Sequence, residues 1–177
     1  STLMRSSAAS DVYKRQVVDT GLNTMTGGRV KRIKDYVGNE PFMLTYGDGV
    51  SDVNIAELVE FHKKHGKLVT MSAYNPGQRF GVLDIDENGR INEFREKTSG
   101  DGSLINIGYM VCQPEFIDYI DGDETVLEKK PLETVAKLGE LMAYKHTGFW
   151  QCMDTVREKE QLEKMWNNNN APWKIWK

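Results

Sequence analysis

The sequence has little of what would mark an exported, membrane-bound or nucleic-acid-binding protein. It holds only two cysteines, Cys112 and Cys152, far apart and without the second pair that a disulfide framework or zinc knuckle needs. A reducing cytoplasm is therefore the expected setting. No apolar run approaches the ~20 residues that span a bilayer, and the first residues lack the apolar stretch of a secretion signal. A formal net charge of -3 leaves no basic field for neutralising the phosphates of DNA or RNA. The three histidines, at 62, 65 and 146, have no zinc-site spacing, and no Gly-x-Ser-x-Gly elbow or Cys/His pairing offers a nucleophile. The expected partners exclude nucleic acid and membrane, and covalent catalysis has no support.

What is present fits one globular domain: 177 residues, 39% hydrophobic and 28% charged. Residues 1–16 keep neither a helical nor a strand period and do not begin with Met. They read as a cloning or assembly scar, or a short linker, and are set apart from residues 17–177. From Val17 and Val18, a strand end, the chain passes through T-G-L-N-T-M-T-G-G into a basic amphipathic helix from Arg29 to Tyr36. Pro41 to Tyr46 is a buried strand that stops at Gly47-Asp48-Gly49. Asn54 and Glu57 read as a helix cap and its reciprocal partner. Ile55, Leu58, Val59 and His62 keep helical spacing, Gly66 is the stop, and His62 and His65 are expected at the helix edge. Leu68 to Tyr74 then completes a β-α-β unit.

Val82 to Arg95 alternates about Asn88-Gly89, a hairpin signal. The same stretch imitates a calcium loop at Asp84, Asp86, Asn88 and Gly89, but Arg95 stands where a bidentate Glu is required, which excludes calcium. A strand from Leu104 to Val111, a short helix from Pro114 to Ile120 and a helix from about Pro131 to Leu138 come next. A strand from Leu141 to Trp150 and a helix capped by Thr155 and Glu158 close the chain. This alternation predicts an α/β sandwich with a mixed, mostly parallel sheet.

In such sheets ligands gather beyond the carboxyl ends of strands, where Asp48 is expected. Asp154 follows the strand ending at Trp150 and precedes a helix, so a fold can set it opposite Asp48. Two carboxylates from separate strand ends suit Mg2+, although Asp in G-D-G is also a common turn residue and Asp154 can simply assist a helix cap. Gly27 and Gly28, at a helix start, offer backbone N–H groups to a ligand or belong to a plain loop. Glu96-Lys97 after a strand can meet sugar hydroxyls and a phosphate, or be a solvated ion pair. Asn106 in an apolar strand is either a substrate contact or a core residue with satisfied hydrogen bonds.

Read together and in order, D-T-G-L-N-T-M-T-G-G-R-V-K-R, T-Y-G-D-G-V-S-D, G-R-F-G-V-L-D-I, F-R-E-K, G-F-W-Q-C-M-D-T and A-P-W-K-I-W resemble glucose-1-phosphate cytidylyltransferases of the sugar nucleotidyltransferase superfamily. The resemblance covers residues 17–177. It implies a Rossmann-like sandwich of the GT-A type and in-line attack of glucose 1-phosphate on CTP, giving CDP-glucose for deoxysugar and surface-polysaccharide synthesis. It further implies Asp48 and Asp154 as Mg2+ ligands, Lys97 on the sugar phosphate, and Glu96 and Asn106, with Gly108 beside them, at the glucose. Gly27, Gly28 and Arg29 would lie near the cytosine, and a homo-oligomer is expected. The family's leading strand, its G-x-G-T-R loop and its K-P-K segment do not occur in this sequence, so the fold is expected to be incomplete at its N-terminus and inactive alone.

Overall fold

The computed structural model describes residues 16–76, 82–85, 91–95 and 104–176. In chain order the elements are α1 (Thr26–Arg32), α2 (Lys34–Val37), β1 (Phe42–Thr45), β2 (Gly49–Ser51), α3 (Ile55–His65), β3 (Val69–Tyr74) and β4 (Val82–Ile85). They continue with β5 (Ile91–Arg95), β6 (Ile105–Cys112), a 3-10 turn at Pro114–Tyr119, α4 (Lys130–Lys137), β7 (Leu141–His146), β8 (Trp150–Cys152) and α5 (Val156–Asn167). A four-stranded sheet in the order β1-β6-β3-β7 forms the centre. Strands β1, β3 and β7 share one direction, and β6 runs against both neighbours. The sheet is mixed, as expected, and three of its four strands are co-directional.

Apolar side chains from one face of this sheet meet α1, α4 and the 3-10 turn. Val69, Met110, Phe116, Ile117, Ile120, Leu127 and Val135 are each at most 1% exposed and form one cluster. Burying each such side chain contributes about 1.5–3 kcal/mol, the main force holding helices to sheet. The predicted hairpin is present, with Val82 opposite Arg95 and Leu83 opposite Phe94. Gly66, at φ +65, takes the left-handed cap of α3, and Thr155 and Glu158 make a full capping box on α5.

Several local expectations give way to tertiary contacts. Val17 and Val18 pair with no strand among the described residues. The helix expected over 29–36 begins at Thr26 and breaks at Ile33 into α1 and α2. The strand expected over 141–150 divides at Thr147-Gly148 into β7, which joins the central sheet, and β8, which pairs with β2. Asn54 caps α3, but the Glu57 carboxylate accepts from the Tyr144 hydroxyl at 3.0 Å instead of reaching back to the cap.

His62 and His65 are not at the edge of α3. Both turn toward the buried Thr70 on β3, where His62 Nδ1 and His65 Nε2 lie 2.8 and 2.6 Å from the Thr70 hydroxyl. The Lys67 N–H donates to His65 Nδ1 at 2.9 Å, so the other ring nitrogen of a neutral His65 carries the hydrogen toward Thr70. Gln113 meets His62 Nε2 at 3.0 Å. Burial lowers both imidazole pKa values, helped by His65 for His62 and by Lys67 for His65, while Glu140 opposes the shift at His65.

The unfolded chain therefore binds protons more readily than the folded one as pH drops below the ordinary His value of about 6.5. This contribution to stability is complete above that pH and is lost progressively below it. The melting temperature should fall between about pH 7 and pH 5, and His62→Gln should flatten that slope. An equal slope in the variant, followed by calorimetry or circular dichroism, would assign the acid sensitivity elsewhere.

Candidate active site

Beyond the carboxyl end of β1 the chain runs through Tyr46, Gly47 and Asp48 into β2, which lies antiparallel to β8. Gly49 faces Cys152, Val50 faces Gln151 and Ser51 faces Trp150. One step past this register, the Met153 N–H donates to the Asp48 carbonyl at 2.7 Å. Asp48 thus stands across from Met153, one residue from Asp154, and both aspartates are exposed at the open end of the ribbon.

On the Asp154 side, donor atoms of Cys152, Asp154 and Glu158 lie within 4.8 Å of one another. Burial raises the Cys152 thiol pKa, a hydrogen bond from the Asp154 backbone opposes the shift, and the charges of Asp154 and Glu158 raise it further, which favours the protonated sulfur. A thiol that keeps its proton is a poor metal ligand. Glu158 already accepts from Thr155 N and Oγ1 at 3.0 and 3.1 Å. The donors left are hard carboxylate oxygens, the set that Mg2+ takes and Zn2+ does not favour. Carboxylate oxygens of this kind are compatible with a hard cation such as Mg2+.

A second set of groups joins the neighbouring strand end. β6 bulges where Ile107, Gly108 and Tyr109 stand against the single Ser72, between the Met71–Met110 and Ala73–Asn106 pairs. Gly108 there has φ +80, and a Cβ on it would meet the Tyr46 ring at 2.5 Å, so both backbone and space demand glycine. Asn106 Oδ1 accepts from Gly108 N at 2.9 Å, and its Nδ2 donates to Tyr46 Oη at 3.0 Å. Tyr46 in turn donates to Glu128 at 2.6 Å, and Thr26 donates to the other oxygen of that carboxylate at 3.0 Å. Burial, then Glu128, raises the Tyr46 pKa, so the phenol remains a donor. Among the described residues, the second amide hydrogen of Asn106 meets no protein acceptor. The side chain is held by its neighbours and still has a donor to offer.

Gly27 and Gly28 lie in the first turn of α1, where their N–H groups donate to the Thr125 carbonyl at 2.9 and 3.2 Å. A Cβ on Gly28 would come within 2.6 Å of the Asp123 backbone, and one on Gly27 within 2.7 Å of the Thr125 carbonyl. Both glycines therefore let the helix rest directly on the 123–127 segment. The Arg29 guanidinium donates to Thr20 Oγ1 at 2.7 Å and to the Leu22 carbonyl at 3.2 Å, folding the preceding loop over α1.

Residues 17–155 match the nucleotidyl transferase family. The chain belongs to that family. This nucleotidyltransferase chain is 52% identical over 161 residues to glucose-1-phosphate cytidylyltransferase of Salmonella typhi, covering 90% of this chain and 62% of that protein. A probable glucose-1-phosphate cytidylyltransferase of Bacillus subtilis is 40% identical over 167 residues, 94% of this chain and 65% of that protein. The nucleotidyltransferase chain thus spans a little under two thirds of the length of these curated relatives. Among solved structures, UDP-glucose pyrophosphorylase complexed with UDP-glucose superposes with a TM-score of 0.61 at 16% identity, over 85% of this chain and 64% of that one. That likeness shows a shared fold.

Of the site residues expected from the sequence, the nucleotidyltransferase fold brings Asp48 and Asp154 to one ribbon end and sets Asn106 and Gly108 beside Tyr46. Gly27, Gly28 and Arg29 face the 20–22 and 123–127 segments. Glu96 and Lys97 lie outside the described residues, as does the 86–90 turn of the hairpin. Sequence reasoning passed over Tyr46 and Glu128, whose link to Asn106 spans three separate segments. Tyr46 stands inside the T-Y-G-D-G motif, so its place next to Asp48 was a usable signal. Glu128 carried none. Trp150 was also missed: its indole nitrogen is buried without a partner among the described residues, close against Gly49.

Proposed function

We propose that this chain carries the cation and sugar side of an enzyme that transfers a cytidylyl group from CTP to glucose 1-phosphate, giving CDP-glucose and pyrophosphate. The observation that carries this reading is the β2/β8 register, which sets Asp48 and Asp154 at one ribbon end. The 52% identity to the Salmonella typhi glucose-1-phosphate cytidylyltransferase supports the choice of substrates. A phosphate oxygen of glucose 1-phosphate attacks the α-phosphorus of CTP, forming one P–O bond while the bond to pyrophosphate breaks. No protein nucleophile is required, and catalysis consists of positioning and charge neutralisation.

Asp48 and Asp154 would hold Mg2+, which when bound neutralises negative charge on the phosphates. Asn106 orients glucose hydroxyls with its remaining amide hydrogen, and Gly108 keeps Tyr46 close enough to hold that amide. Lys97 serves as a point charge for the sugar phosphate, and Glu96 accepts from the sugar. In this reading Gly27, Gly28 and Arg29 border the cytosine by shaping α1 and the loop before it. A reducing cytoplasm suits two unpaired cysteines, and no helix among the described residues is long and apolar enough to cross a membrane. We further propose a homo-oligomer whose product feeds surface-polysaccharide synthesis.

Calorimetric titration of the chain with CDP-glucose tests this reading. Saturable binding that requires Mg2+, and that is weaker for UDP-glucose and dTDP-glucose, is the expected result. Mg2+-independent binding, or none, would leave a non-catalytic assembly domain as the better description.

A further inference from the structure

The β2/β8 ribbon is only three residues long on each side and forms a sheet of its own, touching the central sheet where the Tyr109 hydroxyl donates to the Gly49 carbonyl at 3.2 Å. An isolated two-stranded ribbon of this size is marginal, and a slip of one residue moves a side chain by about 3.3 Å and turns it to the opposite face. Such a slip would separate Asp48 from Asp154. Something must therefore fix the register from outside the ribbon.

At the end away from the aspartates, the Phe149 peptide is gripped on both sides. Its N–H donates to Asp52 Oδ1 at 2.6 Å, and its carbonyl accepts from Asp52 N at 3.2 Å and from the Ser51 hydroxyl at 2.7 Å. His146 Nε2 reaches the same carbonyl at 3.0 Å, Asp52 Oδ1 at 3.1 Å and Ser51 Oγ at 3.2 Å. Ser51 Oγ also accepts from Val53 N at 3.2 Å. The Ser51 hydroxyl donates to the Phe149 carbonyl, so the Ser/His/Asp grouping is a knot and not a nucleophilic triad.

The imidazole at the centre of the knot is enclosed. The His146 side chain is 7% exposed, with the Tyr74 ring packed at 5.9 Å from it and at 5.8 Å from Trp150. Gly148 makes room for the knot, because a Cβ there would overlap the Asp52 carboxylate and sit 2.9 Å from the His146 ring, displacing one or both side chains.

We infer that Asp52 and His146 are positioning residues that lock the β2/β8 register and thereby hold Asp48 and Asp154 for one shared divalent cation. The inference rests on the proposed reading of those aspartates as cation ligands. Neither Asp52 nor His146 touches the cation or the substrate. Their effect passes through the Phe149 peptide along three residues of β8 to Asp154, and along β2 to Asp48.

The test titrates Mn2+ into the full chain at saturating CDP-glucose, with far-UV circular dichroism confirming that each variant is folded at the temperature used. His146→Ala should weaken Mn2+ binding by about 10–100-fold, the range for residues that orient metal ligands. His146→Gln, which restores a donor near the Nε2 position, should recover most of the loss. Ser51→Ala removes the hydroxyl contacts to the Phe149 carbonyl, His146 and Val53 N but keeps the Asp52–His146 contact, and should cost about fivefold. It serves as the readout if His146→Ala does not fold.

A purely structural role would lower the melting temperature of these variants and leave Mn2+ affinity unchanged below it, which overturns the inference alone. Absence of Mn2+ binding in the unaltered chain overturns the cation reading and this inference with it.

Discussion

Asp48→Asn, made in a chain of the relatives' full length, is expected to lower pyrophosphate release from CTP and glucose 1-phosphate by about 10²–10³-fold at saturating Mg2+. The substitution keeps the shape of the side chain and the Asp48 carbonyl that accepts from Met153 N, so the ribbon should survive. What it removes is one negative charge from the pair proposed to hold the cation. A cation held by Asp154 alone would be less occupied and less well placed to counter charge at the phosphates. Excess Mg2+ should recover only the occupancy part of the loss. Near-normal turnover would sink the assignment of Asp48 as a cation ligand and return it to the role of a turn residue.

Gly28→Ala is the stability change with the largest expected effect. Helix propensity alone favours Ala over Gly by ~1 kcal/mol in a helix interior. Here the sign reverses, because the new Cβ would lie 2.6 Å from both the Asp123 Cα and its carbonyl oxygen, and backbone cannot rotate aside. To relieve the overlap α1 must lift, which stretches the bonds from Met25, Gly27 and Gly28 to the 123–125 carbonyls. Overpacking and weakened hydrogen bonds together should cost about 2–4 kcal/mol. Urea unfolding should show a lower midpoint with an unchanged slope. A rise in the midpoint would mean that the loop yields and propensity wins.

The two predictions draw on different depths of information. The place of Asp48 beyond a strand end was legible because turn chemistry at Gly47-Asp48-Gly49 follows a short apolar strand, and both are local patterns. The role of Gly28 was half legible. A glycine pair at a helix start is visible in the sequence, and it suggests amide hydrogens offered to a ligand. The carbonyl of Thr125, remote in sequence, receives those hydrogens in the folded chain. His62 shows the same limit: its helical spacing with Leu58 and Val59 was visible, yet it was expected at the helix edge, and only the fold supplies Thr70 and Gln113 as partners that make a buried imidazole tolerable.

Read as a linear pattern, the chain specified its helices, its hairpin, the caps at Asn54 and Thr155, the stop at Gly66 and the alternation that makes an α/β sandwich. These depend on side-chain periodicity, capping and turn preferences that act within a few residues. Tertiary structure alone decided that β6 would lie between β1 and β3, that the segment after His146 would leave the central sheet at Gly148, and that β2 and β8 would meet. It also assembled Asn106, Tyr46, Glu128 and Thr26 into one network from four separate segments. Each of these choices is a pairing between distant stretches, settled by which hydrogen-bonding groups and apolar faces remain to be satisfied once the local elements have formed.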